Sequence, residues 1–140
     1  MKTRLVSGLI AAVVMVTAAP VLAHHPFAAE YDRNKAVHLT GTVNKVDWAN
    51  PHTMLSVDAK DGNGQAASWM VELGGPNALK RRGWSQTTVK MGDQVTIDGW
   101  QAKDGSNKAN ARSVTLSNGK ELNAASSYSS EKSAKKRNTH

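Results

Sequence analysis

The chain has 140 residues, of which 39% are hydrophobic and 21% charged, a size and composition typical of one small globular domain. It contains no cysteine, which excludes disulfides, thiolate nucleophiles and cysteine-based zinc sites. The formal net charge is +7, but residues 1–23 carry +2 of it and residues 124–140, with four cations and one glutamate, carry +3, so residues 24–123 carry only +2. This distribution argues against a nucleic-acid-binding domain.

Residues 1–23 are typical of a secretory signal peptide. Lys2 and Arg4 precede a long uncharged apolar stretch, and the sequence Val-Leu-Ala at 21–23 suits a cleavage site. We therefore predict a periplasmic or secreted protein whose mature chain begins at His24, with an uncleaved amino-terminal anchor as the alternative. No later stretch is long and apolar enough to cross a bilayer, so no membrane span is expected after cleavage.

Residues 24–123 are predicted to form the folded domain, mainly from strands. Apolar and polar residues alternate in five runs that turn-forming residues separate, within 37–48, 53–57, 69–73, 94–100 and 109–116. The first run changes phase, which indicates a bulge or bend near Gly41 or Lys45. Pro76 begins one short helix between the third and fourth strands, and Gly83 ends it.

This order of elements favours an all-β domain with one short helix, in the form of a five-stranded OB-fold-like barrel. An SH3-like barrel or a small sandwich is the alternative. The last segment, residues 124–140, is rich in serine and lysine and nearly free of aliphatic residues. Such a segment cannot bury enough apolar surface to offset its ordering entropy, so we predict a disordered basic tail.

Several short motifs distinguish the predicted domain. They are HHPFAAEYD at 24–32, LTGTV at 39–43, NPH at 50–52, GPNALKRRGW at 75–84 and KDGS at 103–106. Together they resemble a family of small exported bacterial proteins that is catalogued as a domain of unknown function. The resemblance covers residues 24–123 and implies an exported β-barrel, but it implies neither an activity nor site residues.

The mature amino terminus is the first candidate metal site. Cleavage before His24 gives a free α-amine beside that residue's own imidazole, and the two nitrogens can chelate one metal ion. Pro26 has no N–H and blocks further amide ligands, so imidazoles from His25, His52 or His38 would complete a nitrogen site suited to Cu(II). The alternative is that the histidines simply follow the cleavage site on a mobile terminus.

A second candidate surface is the outward face of the second and third strands. The alternation places Met54 and Met70 on this face, and thioethers together with an imidazole favour Cu(I). Hairpin pairing puts Met54 opposite Met70 and His52 opposite Glu72, or makes both pairs diagonal after a shift of two residues. The alternative is that the amino-terminal segment around residues 27–31 covers both methionines.

The same face is where OB-folds bind oligosaccharides and oligonucleotides. Trp48 and Trp100 are the candidate stacking platforms, because Trp69 is in phase with core residues and Trp84 follows the helix. A nearly neutral domain does not favour strong phosphate binding. An envelope ligand or polymer is therefore the expected partner of this face if no metal is bound.

The sequence contains no recognisable nucleophile motif, metalloprotease motif or phosphate-binding loop. We therefore expect a binding protein, not an enzyme, with no catalytic residues and with copper as the candidate cofactor. The alternatives are an envelope ligand- or polymer-binding module without metal, and a structural or stress protein.

Overall fold

The computed structural model describes residues 26–138. The elements in chain order are α1 (Phe27–Glu30), β1 (Tyr31–Asp47), β2 (Met54–Lys60), β3 (Ala66–Glu72), α2 (Pro76–Lys80), β4 (Gln94–Ala102), β5 (Lys108–Leu116), β6 (Glu121–Asn123) and α3 (Ser127–Arg137). The protein is mostly β, as the sequence predicts, but it has six strands and three short helices where five strands and one helix are expected.

The predicted signal peptide at 1–23, together with His24 and His25, lies outside the described residues. Within residues 26–138, no helix combines the length and the apolar character that crossing a bilayer requires.

The strands form one sheet in the order β3-β2-β1-β4-β5-β6, and neighbours in this order pair antiparallel. In addition, β3 pairs in parallel with β5, where Met70 is in register with Lys108 and Glu72 with Asn110. This pairing links β1, β2, β3, β5 and β4 into a ring of five strands. The end of β3 therefore lies between the beginning of β2, with which it pairs antiparallel, and the beginning of β5, with which it pairs in parallel.

The long strand β1 pairs with both of its neighbours in the ring, β4 and β2. Its first part pairs with β4 and its second part with β2, and the register with β2 shifts between Val43 and Lys45, where the sequence indicates a bulge. Gly41 lies where the two pairings overlap. A Cβ atom at this position would overlap the carbonyl oxygen of Asp58, so the close approach of β1 and β2 requires glycine.

The main core fills the interior of the ring with alternate residues of its strands. The largest fully buried apolar side chains are Leu39, Leu55, Leu73, Leu79, Ile97, Val43, Val57, Val71 and Val114. Trp69 and Trp84 are also buried, as their positions in the sequence predict. The alternation of apolar residues therefore identifies the inward face correctly.

A second, smaller core lies where the two ends of the described chain meet. Phe27, Tyr31 and Ala102 are buried there, and Trp100 and Tyr128 pack against them. The segment Ala124–Ser126 before α3 is buried as well. The structure therefore departs from the disorder predicted for residues 124–140, because the segment gains apolar contacts that its own composition does not reveal.

Candidate functional site

A buried carboxylate lies at the end of β3, on the face of the strand opposite to the main core. Glu72 is in register with Met54 on one side and Asn110 on the other, and it is only 7% exposed. Tyr31 Oη donates a hydrogen bond of 2.6 Å to Oε2, and Asn110 Nδ2 donates one of 3.4 Å to Oε1. A buried carboxylate requires such partners, and these two fix its orientation.

His52 lies beside this carboxylate, two residues before β2 begins. Its Nδ1 is 3.3 Å from Oε1 of Glu72, and its side chain is 29% exposed against 10% for that of Glu72. A carboxylate at this distance attracts the Nδ1 side of the ring. The arrangement directs Nε2, the usual metal-binding atom of an imidazole, away from the carboxylate.

The hydroxyl of Tyr31 remains a donor over the whole ordinary pH range. Burial raises its pKa far above the ordinary value, and the hydrogen bond to Glu72 and the charges of Glu72 and Glu30 raise it further. Tyr31 is therefore a permanent neutral partner of the Glu72 carboxylate.

Asn110 connects the carboxylate to the carboxyl-terminal segment. Its Oδ1 accepts a hydrogen bond of 2.6 Å from Ser126 Oγ, and its Nδ2 donates one of 3.1 Å to Ser127 Oγ. Both serines lie in the part of the sequence for which disorder is predicted. The polar cluster around Glu72 therefore depends on residues from both ends of the described chain.

The side chain of His52 opens into a groove of about 530 Å³, which we call the His52 groove. Pro26, Gly75 and Glu131 also line it. Pro26 is the first described residue, and it directly follows the predicted ligands His24 and His25 in the sequence.

The two candidate methionines are diagonal neighbours. Met54 pairs with Glu72 and Ser56 pairs with Met70, which is the register shifted by two residues. Met70 is 43% exposed, so the amino-terminal segment does not cover it. The sequence-based alternative in which both methionines are covered is therefore wrong for Met70.

The candidate platforms Trp48 and Trp100 belong to different parts of the fold. Trp48 packs against the main core, whereas Trp100 lies in the second core, with ring centroids 5.3 Å from Phe27 and 4.9 Å from Tyr128. They do not form one stacking surface.

His38 also lies apart from His52. Its Nδ1 is 2.7 Å from Oδ1 of Asp98, across the pairing of β1 with β4. Within the described part of the chain, no three histidine, aspartate or glutamate side chains gather closely enough to hold a metal ion.

Comparison with known proteins identifies a family but no individual relative. The model of a family of unknown function, DUF6152, matches residues 11–111. No curated protein and no solved structure matches the chain. The matched residues include His52, Glu72 and Asn110 and end before the segment that contributes Ser126 and Glu131. Because the match spans well over half of the sequence, the chain belongs to this family of unknown function.

Proposed function

We propose that this protein is an exported metal-binding protein that holds copper through His52 and the amino-terminal histidines His24 and His25. The contact between His52 Nδ1 and the buried carboxylate of Glu72 carries the proposal. A metal-ligating histidine nearly always directs its other ring nitrogen to a carboxylate, carbonyl or water, which orients the ring and raises its basicity. Tyr31 and Asn110 hold the carboxylate in the position that this role requires.

The position of Pro26 supports the participation of the amino terminus. Pro26 lines the same groove as His52, and two extended residues reach at most about 7 Å. The α-amine of a chain that begins at His24, and the imidazoles of His24 and His25, are therefore within reach of the groove. Donors of this kind, all nitrogen, suit Cu(II) above the other common divalent ions.

The architecture is consistent with an OB-fold-like barrel, to which we assign the ring of five strands. Its pairing order, with α2 between β3 and β4 and a parallel contact of β3 with β5, supports this class over an SH3-like barrel or a sandwich. OB-folds present their binding surface on the second and third strands, and Met54 and Glu72 lie there beside His52.

We further propose that residues 1–23 direct export to the periplasm or beyond, where cleavage after Ala23 creates the amino-terminal ligand set. The protein acts as a copper binder or carrier and not as an enzyme. An envelope-ligand module without metal has less support, because Trp48 and Trp100 do not share a surface.

The experiment uses untagged protein exported by its own signal. Its intact mass reports whether the chain begins at His24, and competition titration reports the Cu(II) affinity. We expect one Cu(II) per chain, bound at least about tenfold more tightly than by a peptide of residues 24–27, because His52 adds a ligand. Acetylation of the α-amine is expected to abolish this advantage.

The chain offers a matched control. His52→Gln is expected to lower the Cu(II) affinity to that of the peptide, whereas His38→Gln, which alters the other histidine–carboxylate pair, is expected to leave it unchanged. A different amino terminus, or equal affinities for the His52→Gln variant and the parent protein, would contradict the proposal.

A further inference from the structure

A second groove, of about 680 Å³, lies between the beginning of β1 and α3. Tyr31 and Tyr128 contribute to its floor, and four cationic side chains and two carboxylates line it. These six residues are Arg33, Lys103, Lys132, Lys135, Asp32 and Glu131. We call it the cationic groove.

The cations come from three separate parts of the sequence. Arg33 belongs to β1, Lys103 follows β4, and Lys132 and Lys135 lie three residues apart on α3. The fold thus gathers part of the charge of the carboxyl-terminal segment beside cations of the β domain. Because these four cations outnumber the two carboxylates, the groove has an excess of positive charge, which attracts anions.

These four cations have no ionic partner within residues 26–138. None of their side chains forms an ion pair or a hydrogen bond to another described residue. The two carboxylates are already engaged, because Asp32 Oδ1 accepts a hydrogen bond of 2.9 Å from the backbone N–H of Asn34, and Glu131 Oε1 accepts one from the backbone N–H of Phe27. The groove therefore carries four cations without an ionic partner among the described residues and two carboxylates, which leaves a net charge of +2.

We propose that the cationic groove binds a small polyanion that carries at least two phosphate or carboxylate groups. Arginine and lysine form their strongest hydrogen bonds with such groups, and cations contributed by β1, by the turn after β4 and by α3 suit more than one anionic group. The partly exposed ring of Tyr128 offers an apolar surface to the body of the ligand. This proposal is independent of copper binding at His52.

The test titrates inorganic tripolyphosphate and citrate into the metal-free exported protein, with calorimetry and tryptophan fluorescence as readouts. Trp100 lies 4.9 Å from Tyr128, so its emission is expected to respond when the groove is occupied. We expect saturable binding that weakens with added salt, because exposed charges are screened.

The variant Lys132→Ala with Lys135→Ala is expected to weaken tripolyphosphate binding at least about tenfold, because it removes two of the four cations that line the groove. The matched control, Lys80→Ala with Lys120→Ala, removes two exposed lysines elsewhere and is expected to change affinity less than about twofold. Arg33→Gln is a further variant, on β1, that leaves α3 unaltered.

Three results would overturn the proposal. Equal weakening in the two double variants would mean that binding follows net charge alone, and binding of neither anion at millimolar concentration would mean that the groove has no such ligand. Binding to vesicles that contain phosphatidylglycerol, without binding of the free anions, would assign the groove to a membrane surface instead.

Discussion

The backbone N–H of Phe27 donates a hydrogen bond to Oε1 of Glu131, a residue 104 positions later in the chain. The ring of Phe27 lies 5.1 Å from that of Tyr128 in the same helix, which reinforces the contact. The helix α3 therefore holds the segment that leads from the amino terminus to the His52 groove. Through this contact, the carboxyl-terminal helix helps to position Pro26 at the His52 groove.

Removal of residues 127–140 is expected to release this amino-terminal segment. Phe27 would lose its hydrogen bond and the Tyr128 ring, and Asn110 would lose Ser127. Amide hydrogen exchange is expected to accelerate at residues 27–31, and Cu(II) affinity is expected to fall towards that of the peptide of residues 24–27. The control is a chain that ends at Asn138 and so retains α3. Unchanged exchange would show that α3 does not hold the segment, whatever the result with copper.

Replacement of Glu72 by glutamine is expected to weaken Cu(II) binding about 10–100-fold, the usual effect of removing the carboxylate behind a metal-ligating histidine. The amide retains the shape of the side chain but is a weaker acceptor than the carboxylate for the Nδ1–H that a metal-bound His52 ring would donate. Competition titration and the Cu(II) electron paramagnetic resonance spectrum measure the change. The control is Asp98→Asn, the corresponding change beside His38. Equal losses in the two variants would contradict the role given to Glu72.

Replacement of Tyr31 by phenylalanine is expected to lower the free energy of unfolding by about 1–3 kcal/mol at pH 7, because the buried Glu72 carboxylate loses a donor. Urea denaturation measures this difference. Tyr128→Phe is the control, since the Tyr128 hydroxyl forms no hydrogen bond to another described residue. Equal effects in the two variants would contradict the importance of the Tyr31–Glu72 bond.

The same tyrosine predicts a dependence of stability on pH. The pKa of Tyr31 is raised in the folded state above its ordinary value of 10.0, so the folded chain retains a proton that the unfolded chain releases. This contribution to stability is complete below pH 10 and declines as the pH rises above 10. Denaturation of the parent protein between pH 9 and pH 11 is expected to show a steeper decline than that of Tyr31→Phe. Parallel profiles would contradict the shift.

Gly41→Ala is expected to destabilise the protein by about 1–3 kcal/mol or more, because the added methyl group overlaps backbone atoms of β2 that cannot move independently. Gly62→Ala is the control, because a Cβ there meets nothing within 4 Å. Thermal unfolding of both variants measures the difference. A Gly41→Ala variant as stable as Gly62→Ala would show that the approach of β1 to β2 can relax.

The sequence predicts the strands of this protein well because their signal is local. Alternation over residues such as Leu55 and Val57 identifies the inward face, and the change of phase before Val46 reveals the bulge in β1. Alternation also places Met70 and Glu72 on the outward face. It does not reveal that Glu72 is covered, because Tyr31 and Asn110 reach it from strands distant in the sequence.

The helix α3 is difficult to predict for a related reason. Its residues are mostly polar, and none of them is buried. Its Tyr128 ring packs against Phe27, a residue about 100 positions earlier in the chain. The residues just before α3 are also held by a distant strand end, because the backbone N–H of Gly74 donates a hydrogen bond of 2.9 Å to the carbonyl of Ala124. Composition alone records none of these long-range contacts, so it favours disorder.

One edge of β5 pairs with β4, and its other edge pairs with two strands, β3 and β6. This arrangement has a consequence for aggregation. β3 pairs with residues 108–110 of this strand, and the three-residue strand β6 pairs with residues 113–115. An open strand edge is a template on which a strand of another molecule can add and begin aggregation. β3 and β6 occupy most of this edge of β5, and β6 becomes the terminal strand of the sheet in its place. Because β6 has only three residues, it offers few backbone groups to which a strand of another molecule could add.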